Sequence, residues 1–310
     1  MDGSVARPRP MLALLLRLVT ALCLSTMAML VKLAGTHGVK LPELIFWRQF
    51  ITMLVIGGLM AALGKLGELR TRRFGAHARR AAYGITGMFF VYGAVTLLPL
   101  AEATTLSFTT PMFAVLLAML LFREKIGIYR WSAVLLGFAG VLIVMQPGGS
   151  GQVDLWGVMV GLVAAFMVAL ISFQIQDLNK TETPYAIVFW FTALTAPLMA
   201  LALPFAIKPH DMQTWLLILA MALSGAVAQI ALTTSLRFGS AATIIVIDYT
   251  ALIWAVTYGW AIFERMPPPT LWLGAPLIMC AGLIVAWREH RLQRTRALKE
   301  QESLRGVEAL

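Results

Sequence analysis

Residues 98–125, LPLAEATTLSFTTPMFAVLLAMLLFREK, decide how the whole chain is read. The segment opens on a proline turn, Leu98-Pro99-Leu100, and closes on a charged island, Phe122-Arg123-Glu124-Lys125. Between these marks, residues 101–121 carry a single charged side chain, Glu102. A run of about 20 apolar residues is what a helix needs to cross the hydrocarbon core of a bilayer. Inside the run, Ser107, Thr109 and Thr110 precede Pro111. The proline lacks a backbone donor and leaves a carbonyl free one turn earlier, which a neighbouring hydroxyl can satisfy. The expectation is a spanning helix with Pro111 as a candidate hinge. Its hydroxyls form a candidate cavity wall, with glue between helices as the equal alternative.

Worked outward from this segment, the chain repeats the same character. Of its 310 residues, 59% are hydrophobic and 13% charged, against about 45–50% and about 25% in ordinary globular domains. Mean hydropathy is +0.80. Polar surface is too scarce to wrap a water-soluble body. Apolar runs and their punctuation give ten spans, at about 11–34, 42–63, 81–98, 101–121, 131–146, 155–177, 185–207, 214–235, 241–263 and 270–287. The fold class expected is therefore an all-α membrane protein. The first run follows Arg7, Arg9 and Arg17 and extends to Ala34. It is longer than the apolar core of a signal peptide and reads as an uncleaved span.

Lysine and arginine set the orientation. Counted over alternate connections and the two ends, 19 fall on one side, six of them in residues 65–80, and only Lys40, Lys208 and Arg265 on the other. Residues 1–10 and the tail 288–310 are therefore expected in the cytoplasm. The net charge of +10 follows from this topology, so no nucleic-acid partner is expected. The tail mixes six basic with four acidic residues and reads as a solvated segment or one lying on membrane lipid. Cys23 and Cys280 stand singly, without framework spacing.

The two halves echo one another. Phe122-Arg123-Glu124-Lys125 recurs as Phe263-Glu264-Arg265-Met266, and Ala139-Gly140-Val141-Leu142-Ile143-Val144 as Ala281-Gly282-Leu283-Ile284-Val285. Leu98-Pro99-Leu100-Ala101-Glu102-Ala103-Thr104 aligns with Arg237-Phe238-Gly239-Ser240-Ala241-Ala242-Thr243. Three correspondences in order at nearly one offset point to duplication. Each unit holds five spans, an odd number, so the two must enter the membrane with opposite sense. Inverted repeats of this kind are expected of a secondary transporter that rocks about a site near the bilayer midplane.

With these residues in view, the sequence resembles a ten-helix, EamA-type member of the drug/metabolite transporter superfamily from about residue 11 to 287. The first unit carries the likeness in Lys32, Pro42, Arg48, the stretch from Ala101 through Pro111 to Glu124, Gly137 and Gly140. The second carries it in Arg237 to Ala242, Glu264, Gly274 and Gly282. Near the place of Pro111 the second unit has Leu252 or Ile253, so an equal kink is not expected there. The resemblance implies a first EamA-like repeat over 11–146 and a second, inverted one over 155–287. It further implies an inner-membrane carrier whose cavity is lined by spans 1–4 and 6–9, with spans 5 and 10 at the periphery. Its best-known bacterial relatives export amino acids, including the YddG type that handles aromatic ones. Other members move nucleosides, riboflavin or S-adenosylmethionine.

An ionisable group in hydrocarbon needs a cavity, a partner or a route to the interface. Arg17 and Lys32 lie near the ends of the first span, where snorkelling accounts for them, with exposure to the cavity as the alternative for Lys32. Arg48 sits six residues beyond Pro42, about 9 Å into the membrane. It serves either as an anchor at the outer interface or as an inward fork for a substrate carboxylate. Asp248 lies about 10 Å from the opposite side and suits proton coupling or a substrate ammonium group. A helix contact with Tyr249 or Thr250 is the plain alternative. The two depths differ too much for Arg48 and Asp248 to pair. Spans 6 and 8 add Gln174, Gln176, Ser224, Gln229 and Thr233, while Gly84, Gly87 and Gly93 read as close packing. The candidate cavity residues are Arg48, Tyr83, Tyr92, Ser107, Thr109, Thr110, Trp190, Gln229, Asp248 and Tyr249, the aromatic ones weighed against a role as interface anchors.

An intramembrane enzyme would need ligands or nucleophiles converging in the membrane, yet His37, His77, His210 and His290 read as loop or tail residues. No phosphate loop is present for an ATP-driven pump. No cofactor is expected, and a passive channel stays as the rival class. The function expected is secondary export of a small metabolite, hydrophobic or aromatic amino acids first, with protons as candidate coupling ion. Substrate, direction and oligomeric state are left open by the residues.

Overall fold

In hydrocarbon a backbone amide has no water to bond, so each spanning segment must close its hydrogen bonds within itself. The computed structural model, which describes residues 10–122, 127–145, 154–238 and 247–308, is accordingly helical throughout, with no strand among the described residues. The helices are α1 Pro10–Thr36, α2 Leu41–Ala62, α3 Phe74–Leu97, α4 Leu100–Ser107, α5 Thr110–Phe122 and α6 Ile128–Met145. They continue as α7 Leu155–Leu178, α8 Pro184–Ala200, the short α9 Leu203–Ala206, α10 Met212–Phe238, α11 Thr250–Phe263 and α12 Pro269–Glu308.

Seven segments are long and apolar enough to cross a bilayer: α1, α2, α4 with α5, α6, α7, α10 and the first half of α12. α8 and α11 are shorter apolar helices. α3, whose first turns are basic, makes the tenth pass. Local chemistry marks the starts. Pro42 occupies the first turn of α2, Asp154 caps α7 by accepting from the Trp156 amide, and the Thr183 hydroxyl accepts from the Ala186 amide at the start of α8. α11 ends on Glu264 in the left-handed region (φ 53°), and the Arg265 amide donates back to the Gly259 carbonyl at 3.0 Å.

Three expectations need correcting. The third helix begins at Phe74, not near 81, so His77, Arg79 and Arg80 belong to it. The seventh span stops at Ala200 after the internal Pro197, and α9 continues the path as a separate turn. Beyond Trp287 the chain does not leave its helix: α12 runs 40 residues to Glu308, about 60 Å at the helical rise. Of the sequence echoes, Arg123–Lys125 and Gly239–Thr243 lie outside the described residues.

Packing carries the inversion. Match α1 with α7, α2 with α8, α3 with α10, α4 and α5 with α11, and α6 with α12. α1 then lies on α10 just as its counterpart α7 lies on α3, and α5 meets α7 as α11 meets α1. α2 on α8 and α6 on α12 join counterparts directly. Exchanging the halves leaves this scheme unchanged. The chain is thus an all-α membrane protein of two inverted five-span repeats.

The α6–α12 pair shows why small residues matter here. A Cβ on Gly140 would fall 2.8 Å from the Gly274 carbonyl oxygen, and one on Gly274 would fall 2.6 Å from that of Gly140. Only glycine lets the two backbones approach so closely.

The fourth span breaks before its proline, between α4 and α5. The Thr110 hydroxyl donates to the Ser107 carbonyl at 2.6 Å, the acceptor that Pro111 cannot serve. Against expectation, the second repeat breaks too, at Tyr249, although it has no proline there. The Leu252 amide donates to the Tyr249 carbonyl at 3.1 Å and the Thr250 hydroxyl to Ile247 at 2.7 Å. A tight three-residue step plus one hydroxyl does what proline does in the first repeat. The two breaks meet. Phe108 and Tyr249 stand edge to face with ring centroids 4.9 Å apart, where the repeats exchange.

Candidate functional site

α2 presents Arg48, Gln49 and Thr52 to the interior, seven to eleven residues from its start at Leu41. Arg48 is 5% exposed. It turns inward, not to the interface. Its Nη1 donates to Gln49 Oε1 at 3.1 Å and to the Met88 sulfur at 3.3 Å, and its Nη2 donates to Gln229 Oε1 at 3.3 Å. Gln49 Nε2 donates to Thr195 Oγ1 on α8. Tyr92 points its hydroxyl at the sulfurs of Met27 and Met221, 3.6 and 4.0 Å away. Gly225 on α10 makes room: a Cβ there would lie 2.8 Å from Arg48 Nε and 3.0 Å from the Met27 sulfur. The cluster thus draws α2 and α3 from one repeat and α8 and α10 from the other. Among the sequence candidates it joins Arg48, Tyr92 and Gln229.

Arg80, on α3, belongs to the same interior. It is 3% exposed, and its guanidinium carbon lies 4.0 Å from the Phe191 ring centroid. Nε and Nη1 of Arg80, and Nε of Arg48, are buried without a hydrogen-bond partner. Sequence reading counted Arg80 among the loop cations. The available signal was the row Arg80, Gly84, Met88, Tyr92, which falls on one helical face at four-residue steps.

Asp248 is not near Arg48. Its Oδ2 lies 3.2 Å from Arg17 Nη2, with side chains 36% and 9% exposed. Arg17 therefore does not snorkel; it turns inward and ties α1 to the turn before α11. Lys32 donates to the Val95 and Leu98 carbonyls at 3.0 and 2.7 Å, capping the exposed acceptors at the end of α3. It also borders a pocket of about 400 Å³ with Glu102, Asp154, Phe263 and Arg265 at the end of the bundle away from the N terminus. At that same end His210 Nε2 and Glu43 Oε1 lie 2.9 Å apart.

The remaining candidates lie apart from the cluster. Tyr83 is 40% exposed and lines a hollow of about 290 Å³ between α3 and α7 with Arg79, Gln174 and Asp177. Trp190 donates to the Leu69 carbonyl at 2.7 Å and pins the short 3-10 turn Leu66–Leu69. Ser107 donates to the Thr104 carbonyl within α4 at 2.6 Å, and Thr109 and Thr110, at the break, donate back to the Leu106 and Ser107 carbonyls of α4 at 2.7 and 2.6 Å. Tyr249 is buried and donates to the Met279 carbonyl at 3.0 Å. Pro111 sits at the start of α5 beside the break. His77 is fully buried on α3, 4.0 Å from Glu182.

With ten passes, inverted halves and a buried polar centre described, comparison with known proteins agrees in kind. The EamA-like transporter family matches residues 11–146 and 155–287. The chain belongs to that family. It is a multi-pass membrane transporter. A riboflavin transporter of Vibrio cholerae is 31% identical over 250 residues, 79% of this chain and 83% of the relative. The pseudopaline exporter of Pseudomonas aeruginosa is 27% identical over 274 residues, 88% and 95% of the two. A solved structure superposes with a TM-score of 0.63 at 20% identity, covering 92% of this chain and 99% of its own. At that identity the likeness speaks for the fold.

Proposed function

We propose that the chain is a secondary carrier of the bacterial inner membrane, with both termini cytoplasmic, moving a small metabolite by alternating access around Arg48. The observation behind this is a buried guanidinium ringed by Gln49, Gln229 and Met88, with donors to spare, fed by helices of both repeats. Rocking one repeat against the other opens such a centre to either side in turn. The donor surplus suits a metabolite that brings acceptors, carbonyl or carboxylate oxygens.

Substrate names follow from the relatives. Riboflavin comes first, because a riboflavin transporter is 31% identical. Hydrophobic and aromatic amino acids, first on resemblance alone, move behind it; nucleosides and S-adenosylmethionine remain in the panel. Export is the direction we assign. Protons are the coupling ion we assign, acting at Asp248. Protonation removes its charge and loosens the tie to Arg17.

The test is transport in proteoliposomes with labelled riboflavin, amino acids, nucleosides and S-adenosylmethionine. A carrier gives saturable uptake and counterflow of at least one. Non-saturating flux without counterflow would establish a channel and end this reading. Cysteine labelling from each side checks the topology: residues 64–73 and 300 on opposite faces would refute it.

A further inference from the structure

Two arginines in the interior have more donors than the protein uses. Arg80 extends along α3 toward Gly84, where a Cβ would collide with its Nη1 and with the edge of Phe191. Arg48 arrives from α2 on the same face at Met88, 3.3 Å from the sulfur. Gly84 and Met88 are one turn apart, about 6 Å of helical rise, so the two guanidiniums meet the same stretch of α3. Glycine makes room for each of them, Gly84 for Arg80 and Gly225 for Arg48.

Neither cation is compensated. Among the described residues, the ion pairs involve Arg17, Lys65, Arg73, Lys180 and two histidines, and neither Arg48 nor Arg80 takes part. What faces them is two amide oxygens, a thioether and an aromatic ring. These are neutral or weak partners for a guanidinium. Two like charges held close in a low-dielectric interior repel, and each buried cation left unpaired is destabilising. A carboxylate placed between them would relieve both faults at once, since each guanidinium offers the planar fork that a carboxylate matches.

We propose that Arg48 and Arg80 form an anion subsite, and that the metabolite carried is an organic carboxylate held between the two guanidiniums. The assignment rests on the carrier reading above and narrows its panel, moving the members that bear a carboxylate, amino acids and S-adenosylmethionine, ahead of neutral riboflavin and the nucleosides. Arg80 is the new element. It converts a single polar anchor into a site that discriminates charge.

The experiment uses the full chain, purified in detergent, with unfolding temperature read by tryptophan fluorescence. The probes are citrate, succinate and the uncharged succinamide, against sodium chloride at matched ionic strength. At least one of the two carboxylates raises the unfolding temperature in a saturable way, and succinamide and chloride do not. Arg48→Gln and Arg80→Gln each weaken the apparent affinity at least tenfold, Arg80→Lys keeps part of it, and Arg79→Gln, at an exposed neighbouring position, keeps all of it. Without ligand, Arg80→Met unfolds at a higher temperature than the parent, because an uncompensated cation has gone. Equal responses to succinamide, responses that persist in both Gln variants, or no response to either carboxylate overturn the assignment.

A second readout separates the two claims. Counterflow of an amino acid or S-adenosylmethionine, the carboxylates of the panel, that is unaltered in Arg80→Gln would leave the carrier standing and remove the anion subsite. Counterflow of riboflavin with none of either carboxylate would do the same. Carboxylate stabilisation that depends on Arg80, with no counterflow of any compound, would keep the subsite and remove the carrier.

Discussion

Arg17 and Asp248 offer the sharpest perturbation. Their charged atoms lie 3.2 Å apart, with Arg17 9% and Asp248 36% exposed. At an effective dielectric of about 20, the direct attraction is about 5 kcal/mol. Desolvation of Arg17 offsets part of it, and breaking a buried pair by removing one partner typically costs about 3–5 kcal/mol. The unequal exposure predicts an asymmetry. Asp248→Asn strands a buried guanidinium and should cost about 3 kcal/mol, near the lower end of that range. Arg17→Gln leaves the less enclosed partner, a carboxyl that can take up a proton and lose its charge, and should cost about 1–2 kcal/mol. The double variant should be less damaged than the sum of the two, leaving a coupling of about 2 kcal/mol. Unfolding of all four proteins in one detergent, followed by tryptophan fluorescence, measures the cycle. A coupling near zero, or a larger loss from Arg17→Gln than from Asp248→Asn, would refute the claim that the two side chains form one electrostatic unit. The same four proteins in proteoliposomes report on proton coupling. Asp248→Asn should flatten the rise or fall of transport between mildly acidic and neutral pH, and a profile identical to the parent would confine the carboxylate to structure.

Other substitutions test separate parts of the fold. Gly274→Leu should split α6 from α12, because a Cβ there already meets Val144 Cγ2 at 2.5 Å; a loss of about 3 kcal/mol or more is expected, read as reduced yield and earlier unfolding. Lys32→Met removes the donor to the Val95 and Leu98 carbonyls, and a loss of about 1–2 kcal/mol should appear in the same assay. Trp190→Phe keeps the ring but not the bond to the Leu69 carbonyl; about 1 kcal/mol is at stake, and proteolysis within residues 63–73 should quicken.

The spans were legible because a bilayer imposes length and polarity directly. α1 runs Pro10–Thr36 against an expected 11–34, and α7 runs Leu155–Leu178 against 155–177. The break before Pro111 was legible for the same kind of reason, a missing donor with hydroxyls beside it. The matching break at Tyr249 was not, since a step made of one hydroxyl and a three-residue turn leaves no mark as plain as proline. Arg48 could be singled out by depth and Gln229 as a cavity candidate, but not their meeting, nor the parts of Gln49 beside Arg48 and Met88 on α3. Arg80 was hidden because charge counting cannot tell a loop arginine from one that starts a helix and turns inward. The Arg17–Asp248 pair joins residues 231 positions apart, and only the inverted packing of the halves brings them within reach.

The way the halves interleave has a consequence for biogenesis. α1, α3 and α6 find their main neighbours in α10, α7 and α12, all from the later half of the chain. A ribosome that has just released Met145 must still translate to Phe238 before α10 is complete, roughly 5–20 s at ordinary elongation rates. Through that interval α1 is bare of its main neighbour, α3 waits only until α7 is complete at Leu178, and α6 waits longer still, for a helix that starts at Pro269. Slow codons or a stalled message in this window would prolong the exposure, so quality control by membrane proteases should act most strongly on chains truncated between these two points.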